Sequence, residues 1–531
     1  MDKLKIWGAM RELIGWRSWV GRGRVHLRLL VALMAFCLLA ASLGVTPVWA
    51  DDDDDDIDEL VIKLNPDAGA TIDEINAYYG TATLNTLLES RGIYLIHLPD
   101  LPPFDPDPED DDDDDDGDDD DDGDDDFEAE DWEELFENDV RILYADPNFS
   151  SEIPESGGNF TWSWGGEDEE PRTTQYARQT LALDAVHERS TGVGVVVAVL
   201  DTGVQLDHPA LADRLTAARY DYIDDDADPD DAGNGLDDDG DGLIDEAVGH
   251  GTHVAGIVTL VAPDVRIMPV RVLNSDGRGE IFRIAEGILF ATENGAHVVN
   301  LSLGAAEDSD LLEDVIEDAL GTHGVVFVAA AGNLNSSSPQ YPAEEGDVIA
   351  VSAVDETNRK ADFANYGEWI DVVAPGVGVY STVPENAYAY WSGTSMSTPI
   401  VAGQAALLRS LAGEISPTTI RSVIRRTAQS VDAVNPDYSE QMGQGLVDIA
   451  VALDTLCSET VCQPTLPDDE QPTPPDDEQP TPPDDEQPTP PDDKQPTLPD
   501  DESPTPPQDN PAGASECPCR VLLPGLMRNA R

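Results

Sequence analysis

The chain has 531 residues and a formal net charge of −80, with 109 Asp and Glu against 29 Lys and Arg. Phosphate recognition needs clustered cationic side chains, so this balance argues against nucleic acid as a partner. The acid is unevenly spread: Asp51–Asp56 is unbroken, Asp105–Asp126 is nearly all Asp, and the chain beyond Cys462 is rich in Pro, Asp and Glu. Such blocks repel themselves and bury little apolar surface, so they read as solvating segments.

The first element is a targeting segment. Arg11, Arg17, Arg22, Arg24 and Arg28 precede an apolar run from Leu29 to Val45, and Val48-Trp49-Ala50 resembles a small-residue cleavage site. Residues 1–50 are therefore expected to be a signal peptide of a secreted protein. An uncleaved anchor is the competing reading, but the run is short for a span of about 20 residues.

Residues 51–150 are expected to form a small α+β domain interrupted by the acidic insert 105–126. Glu59–Leu64 alternates as a strand, and Thr71–Tyr79 reads as a helix with a Thr71/Glu74 capping box. Ile93–Leu98 and Val140–Ala145 are further strands, and Trp132–Asn138 a second helix. Residues 151–174 read as a linker. From 175 to 456, apolar runs at Val193–Leu200, Ile267–Val272, Ala296–Leu301, Val325–Ala330 and Val348–Val354 predict buried strands. Helical segments at Ile281–Asn294, Asp310–Thr322 and Ile400–Ala412 separate or follow them. This alternation predicts an α/β fold: a mostly parallel sheet covered by helices on both faces.

Residues 457–531 form a tail built on an eight-residue unit, Gln-Pro-Thr-Leu/Pro-Pro-Asp-Asp-Glu/Lys. Its proline spacing and charge predict an extended spacer. Cys457, Cys462, Cys517 and Cys519 all lie there. Export permits disulfides among them, without fixing their pairing.

The chemistry-bearing residues fall in order within the α/β region. Val199-Leu200-Asp201-Thr202-Gly203 comes first, then Gly249-His250-Gly251-Thr252-His253. Ala329-Ala330-Ala331-Gly332-Asn333 follows, and last Gly393-Thr394-Ser395-Met396-Ser397-Thr398-Pro399. The last segment sets a hydroxyl at a helix start, where unpaired N–H groups favour developing negative charge. Asp, His and Ser in that order are one arrangement of the acyl-transfer triad. Together with Val298–Gly304, Ala374-Pro375-Gly376 and Gly443–Val447, these segments make residues 175–453 resemble a subtilisin-like serine protease. Ser397 departs from the family, which usually has Ala, but remains small.

The resemblance implies a serine endopeptidase in which Ser395 attacks, His250 shuttles the proton and Asp201 orients His250. It makes Asn333 an oxyanion donor and His253 a structural residue. It assigns Ser302-Leu303-Gly304 and Gly277-Arg278-Gly279 as the edges that pair with an extended polypeptide substrate, with Gln340 beside the specificity pocket. It also implies a monomeric enzyme made as a zymogen. The small domain becomes a ferredoxin-like propeptide acting as intramolecular inhibitor and chaperone, and the linker holds or adjoins the processing site. The competing reading is a catalytically silent, acidic cation-binding surface protein on the same scaffold.

Between Asp201 and His250, the residues Asp237, Asp239, Asp241 and Gly242 fit the first half of a calcium loop. Val248 stands where such a loop carries Glu, leaving Asp245 or Glu246 to supply the missing carboxylate. A structural Ca²⁺ is the expected cofactor; a solvated acidic loop is the alternative.

Overall fold

The structure, a computed structural model, describes residues 58–86, 88–99, 129–156 and 161–461. The expected leader, the acidic insert and the repeat tail lie outside the described residues. The described residues form one compact unit.

The N-terminal part runs β1 (Glu59–Leu64), α1 (Ile72–Tyr79), β2 (Ala82–Asn85), β3 (Ile93–His97), α2 (Ala129–Glu137), β4 (Ile142–Pro147). Its strands form an antiparallel sheet in the order β2-β3-β1-β4, the β-α-β-β-α-β arrangement of ferredoxin-like folds. The predicted capping box is present: Thr71 accepts from Glu74 N–H while the Glu74 side chain accepts from Thr71 N–H. Trp132 and Phe136 of α2 pack with Leu60, Ile62 and Ile96 on one face of the sheet. Val61, Ile93, Leu95 and Tyr144 turn the other face toward the larger domain and join its core.

The segment read as a linker is built into the fold. It supplies β5 (Ser150–Glu152), β6 (Thr161–Gly166) and α3 (Glu170–Thr174). Beyond it come α4 (Tyr176–Thr180), α5 (Leu183–His187), β7 (Val196–Asp201), β8 (Tyr220–Asp221) and α6 (His250–Val261). Next are β9 (Arg266–Arg271), β10 (Arg278–Glu280), α7 (Ile281–Glu293), β11 (Val298–Leu301) and α8 (Asp310–Asp318). The chain continues through β12 (Val326–Ala330), β13 (Ile349–Val354), β14 (Val372–Pro375), β15 (Val379–Val383) and β16 (Ala387–Ser392). It closes with α9 (Thr394–Ala412), α10 (Pro417–Thr427) and α11 (Ile449–Val461), so the last helix passes Cys457, where the tail was expected to begin.

Seven parallel strands form the central sheet in the order β14-β13-β12-β11-β7-β9-β8. Their near-continuous apolar runs follow from burial on both faces. Helices α6 and α9 pack against one face, with Val254, Ile257, Ile400 and Val401 fully buried; α7 and α8 cover the other through Ile284, Ile288 and Val315. Loops after β7, β11 and β12 open at one end of the sheet, where α/β folds build their sites.

Candidate active site

Asp201 ends β7 and His250 begins α6; both are fully buried. His250 Nδ1 lies 2.7 Å from Asp201 Oδ1, which also accepts the Thr202 N–H at 2.8 Å. Asp231 holds the start of α6 in place. Its carboxylate accepts N–H bonds from Gly249 at 2.9 Å and Thr252 at 3.0 Å, and hydroxyl bonds from Thr202 and Thr252. Sequence reasoning gave Asp231 no role, because nothing in the pattern separates it from neighbouring aspartates.

Ser395 lies in the first turn of α9, buried. Pro399 has no N–H to donate to the carbonyl four residues earlier, which is that of Ser395. Ser302 Oγ supplies the missing bond to Ser395 O at 3.1 Å, and is itself held by Asn300 Nδ2 at 3.0 Å. The strand-end segment after β11 is thus fastened to the turn bearing Ser395. Asn333, just beyond β12, accepts both the N–H and the hydroxyl of Thr394 at 3.0 Å through its Oδ1. These bonds turn its amide nitrogen toward Gly393. His253, one turn along α6, sits 3.1 Å from Ala389 O with its ring beside Trp391. Burial pushes its pKa down to about 3, so it is a neutral packing residue.

The two expected substrate edges face each other across β5. Gly304 exchanges two backbone bonds with Glu152, at 3.0 and 2.9 Å. Ser151 registers with Gly279, and the Gly277 carbonyl accepts from Ile153 N–H at 3.0 Å. A Cβ on Gly279 would collide with the Val272 carbonyl, so this edge requires glycine. Leu303 contributes backbone only, its side chain being fully buried in the core. Gln340 lies beside Gly304 and Gly332, at the wall leading to Asn333.

One residue enters this centre unforeseen. The Glu155 carboxylate is 3% exposed. Its Oε2 accepts from Ser395 Oγ at 2.7 Å and lies 3.3 Å from His250 Nε2. Burial alone would lower the His250 pKa, but the Asp201 and Glu155 carboxylates raise it to about 10.

The acidic loop corrects one expected ligand. Carboxylate oxygens of Asp237, Asp239 and Asp276 gather within 4.8 Å of one another, as do those of Asp239, Asp241 and Glu246. Asp245 belongs to neither group: its carboxylate instead accepts the N–H groups of Asn234 and Gly235, closing the neck of the loop. Asp276 was not anticipated, because it comes from the β9–β10 connection rather than from the loop. Its position directly before Gly277 was its only signal.

A family model described as the Subtilase family matches residues 192–445. Over 305 residues the chain is 40% identical to the thermophilic serine proteinase of Bacillus sp. (strain AK1), spanning 55% of this chain and 69% of that protein. It is 41% identical over 278 residues to subtilisin BL of Lederbergia lenta, spanning 50% of this chain and 94% of that protein. With thermitase of Thermoactinomyces vulgaris it shares 39% identity over 276 residues, spanning 50% and 92% respectively.

Proposed function

This chain belongs to the subtilase family of serine endopeptidases, and we propose that it is made as a secreted zymogen whose catalytic triad is Asp201, His250 and Ser395. The observation that carries this reading is the 2.7 Å Asp201–His250 bond, with Ser395 Oγ and His250 Nε2 both within reach of one carboxylate oxygen. An extended polypeptide lies between the Gly277–Gly279 and Ser302–Gly304 edges, as β5 does, and its side chain meets Gln340 at the pocket. Ser395 Oγ attacks the carbonyl carbon while its proton passes to His250 Nε2. Asp201 holds the imidazole by Nδ1 and offsets its charge. The oxyanion is received by Asn333 Nδ2 and the Ser395 N–H. His250 returns the proton to the leaving amine, the peptide bond breaks, and water hydrolyses the acyl-enzyme by the same relay.

A calcium ion fits the acidic loop. Asp276 is fully buried and its Oδ1 has no partner, although its Oδ2 accepts from Asp238 N–H. Glu246 Oε2 is also buried and unpartnered, and burial with Asp276, Asp239 and Asp241 nearby raises its pKa to about 7. Unpaired buried carboxylates are costly, and hard oxygen donors at this density suit Ca²⁺. Asp237, Asp239, Asp241, Asp276 and Glu246 would hold it. Asp276 precedes Gly277, and the Ala247 N–H bonds Ser275 O at 3.0 Å, so the ion would brace both the cleft edge and the approach to His250.

The N-terminal domain acts as propeptide. Asp146 accepts from Ser309 Oγ at 2.9 Å and Leu311 N–H at 2.7 Å at the start of α8, while Asn148 accepts from Phe282 N–H at 3.2 Å at the start of α7. Lys63 and Arg91 pair with Asp314 and Asp318 of α8, each at 2.6 Å. Propeptide docking thus caps two helices of the enzyme. Among the described residues no helix is long and apolar enough to cross a membrane. The test is expression of the full chain with export, followed by mass spectrometry and fluorophosphonate labelling of the product. A labelled Ser395 on a chain whose N-terminus lies beyond the propeptide is the expected result; an unlabelled product would overturn the triad assignment.

A further inference from the structure

Between the propeptide and the enzyme, residues 150–156 follow a path that a substrate would share only in part. Ser151, Glu152 and Ile153 pair with both cleft edges as an extended strand. Ile153 is fully buried, packed where a Cβ on Gly277 would otherwise stand. The strand then stops. The Ser156 N–H bonds Ile153 O at 3.0 Å and closes a turn with Pro154 at its second position. A cleavable chain has to stay extended through the bond presented to the nucleophile, whereas this chain turns directly after Ile153.

The turn brings the Glu155 side chain down in place of a peptide bond. Ser395 Oγ donates to its Oε2 at 2.7 Å, and His250 Nε2 lies 3.3 Å from the same oxygen. The other oxygen, Oε1, is buried without a hydrogen-bond partner. A Cβ on Gly393 would overlap that oxygen and fall 3.1 Å from Asn333 Nδ2, so Oε1 occupies the space in front of Gly393 and the Asn333 amide. One oxygen at the nucleophile and the other toward the oxyanion donors is the placement of the carboxylate left by a cleaved peptide.

We infer that Glu155 is a built-in inhibitory side chain: its carboxylate occupies the product-carboxylate position of the catalytic centre and silences Ser395 until the segment is displaced. The inference rests on the triad reading above. It adds to inhibition by a docked propeptide a single group that acts on the reacting atoms. Two effects combine. The carboxylate excludes a substrate carbonyl from the oxyanion position. It also stabilises the charged imidazolium of His250, which in that form accepts no proton from Ser395. A buried carboxylate without a charged partner is strongly unfavourable, so His250 in turn retains Glu155 in the site.

The experiment uses the full exported chain as wild type and as Glu155→Gln, Glu155→Ala and Asp73→Asn. Fluorophosphonate is added immediately after secretion, and labelling is read on the intact precursor band, separated by size from processed enzyme. Processed wild-type enzyme is labelled in parallel. The expected result is at least about tenfold faster labelling of intact Glu155→Ala and Glu155→Gln precursors, the size of one lost charge-assisted hydrogen bond. The intact Glu155→Ala precursor should also disappear sooner. Asp73→Asn removes an exposed charge of α1 away from the cleft and should label at the wild-type rate. Equal labelling of wild-type and Glu155-substituted precursors, beside normal labelling of processed enzyme, overturns the role of Glu155 alone. Equal acceleration by Asp73→Asn overturns it too, since any loosening of the N-terminal domain would then suffice. Unlabelled processed enzyme sinks the nucleophile assignment together with this inference.

Discussion

The catalytic centre and the acidic loop next to it are both built from buried carboxylates, but they are satisfied differently. Around His250, Asp201 and Asp231 together accept from Thr202, Gly249 and Thr252 as well as from the imidazole, so the centre is positioned by protein groups alone. In the loop, Asp276 Oδ1 and Glu246 Oε2 are buried with no partner. The difference is between carboxylates set around an imidazole that can carry positive charge and carboxylates set only against one another. Glu155 shares features of both: its Oε2 accepts from Ser395 Oγ and lies by His250, while its Oε1, like Asp201 Oδ2, is buried without a hydrogen-bond partner.

The largest effect should come from Ser395→Ala. Among the described residues its hydroxyl bonds only Glu155, so the fold should persist. Hydrolysis should fall by about a millionfold, a magnitude established on subtilisin-type nucleophiles. The check is peptide hydrolysis alongside circular dichroism, with the exported precursor remaining uncut. A normally trimmed N-terminus would assign the cut to another protease.

Asn333→Leu should lower kcat about 100- to 1000-fold with little change in KM, the cost of one oxyanion donor measured on subtilisin. A change confined to KM would instead place Asn333 in substrate binding.

The acidic loop proposed to hold calcium offers the sharpest contrast with the proposed triad. At a calcium concentration about 100 times Kd, linkage should add about 2.7 kcal/mol to stability. Asp276→Asn should abolish most of that gain. In chelator the same variant should melt no lower than wild type, because it removes a repelling carboxylate. Thermal melts of both proteins with and without calcium check this, and an unchanged wild-type Tm would remove the ion.

Proton linkage tests the plugged centre. The His250 pKa is raised above its ordinary value of about 6.5 to about 10. Stabilisation of the plugged form is therefore fully present below about pH 6.5 and is lost as pH rises through about 10. Among the described residues, the Asp201 carboxylate at 2.7 Å and the Glu155 carboxylate at 3.3 Å face the ring, the Ser395 hydroxyl bonds Glu155, and Trp391 lies alongside. Below that pKa, each pH unit leaves about tenfold less neutral imidazole. Labelling of the intact precursor should therefore climb steeply toward pH 10, while processed enzyme reaches its plateau at lower pH. Coincident profiles would show that Glu155 does not control the base.

The smallest effect should be at the propeptide contact. Asp146→Ala removes a cap from α8 and should weaken inhibition by about 1 kcal/mol, or roughly fivefold. Inhibition of processed enzyme by added propeptide measures it.

Much of this was legible in the chain. The buried strands were visible as apolar runs because both faces of a parallel sheet are covered. The triad segments were visible because each carries glycine and small residues around one reactive group. Boundaries moved by a few residues: the apolar run begins at Val193, but Gly194 turns the chain at φ +83°, so β7 starts at Val196 and runs on to the polar Asp201. The short strands β5 and β6 carry no such run. Their partners, Gly304 with β10 and β16, lie more than a hundred residues away, so no local pattern announces them.

The sequence by itself determined the fold class, the order of the reactive residues and the acidic loop, because each is written in local composition and spacing. Only the tertiary structure decided which acids matter. Glu155, Asp231 and Asp276 are chemically ordinary in the sequence. Each gains its role from burial against groups distant in the chain, where a carboxylate must find a donor, a cation or a metal.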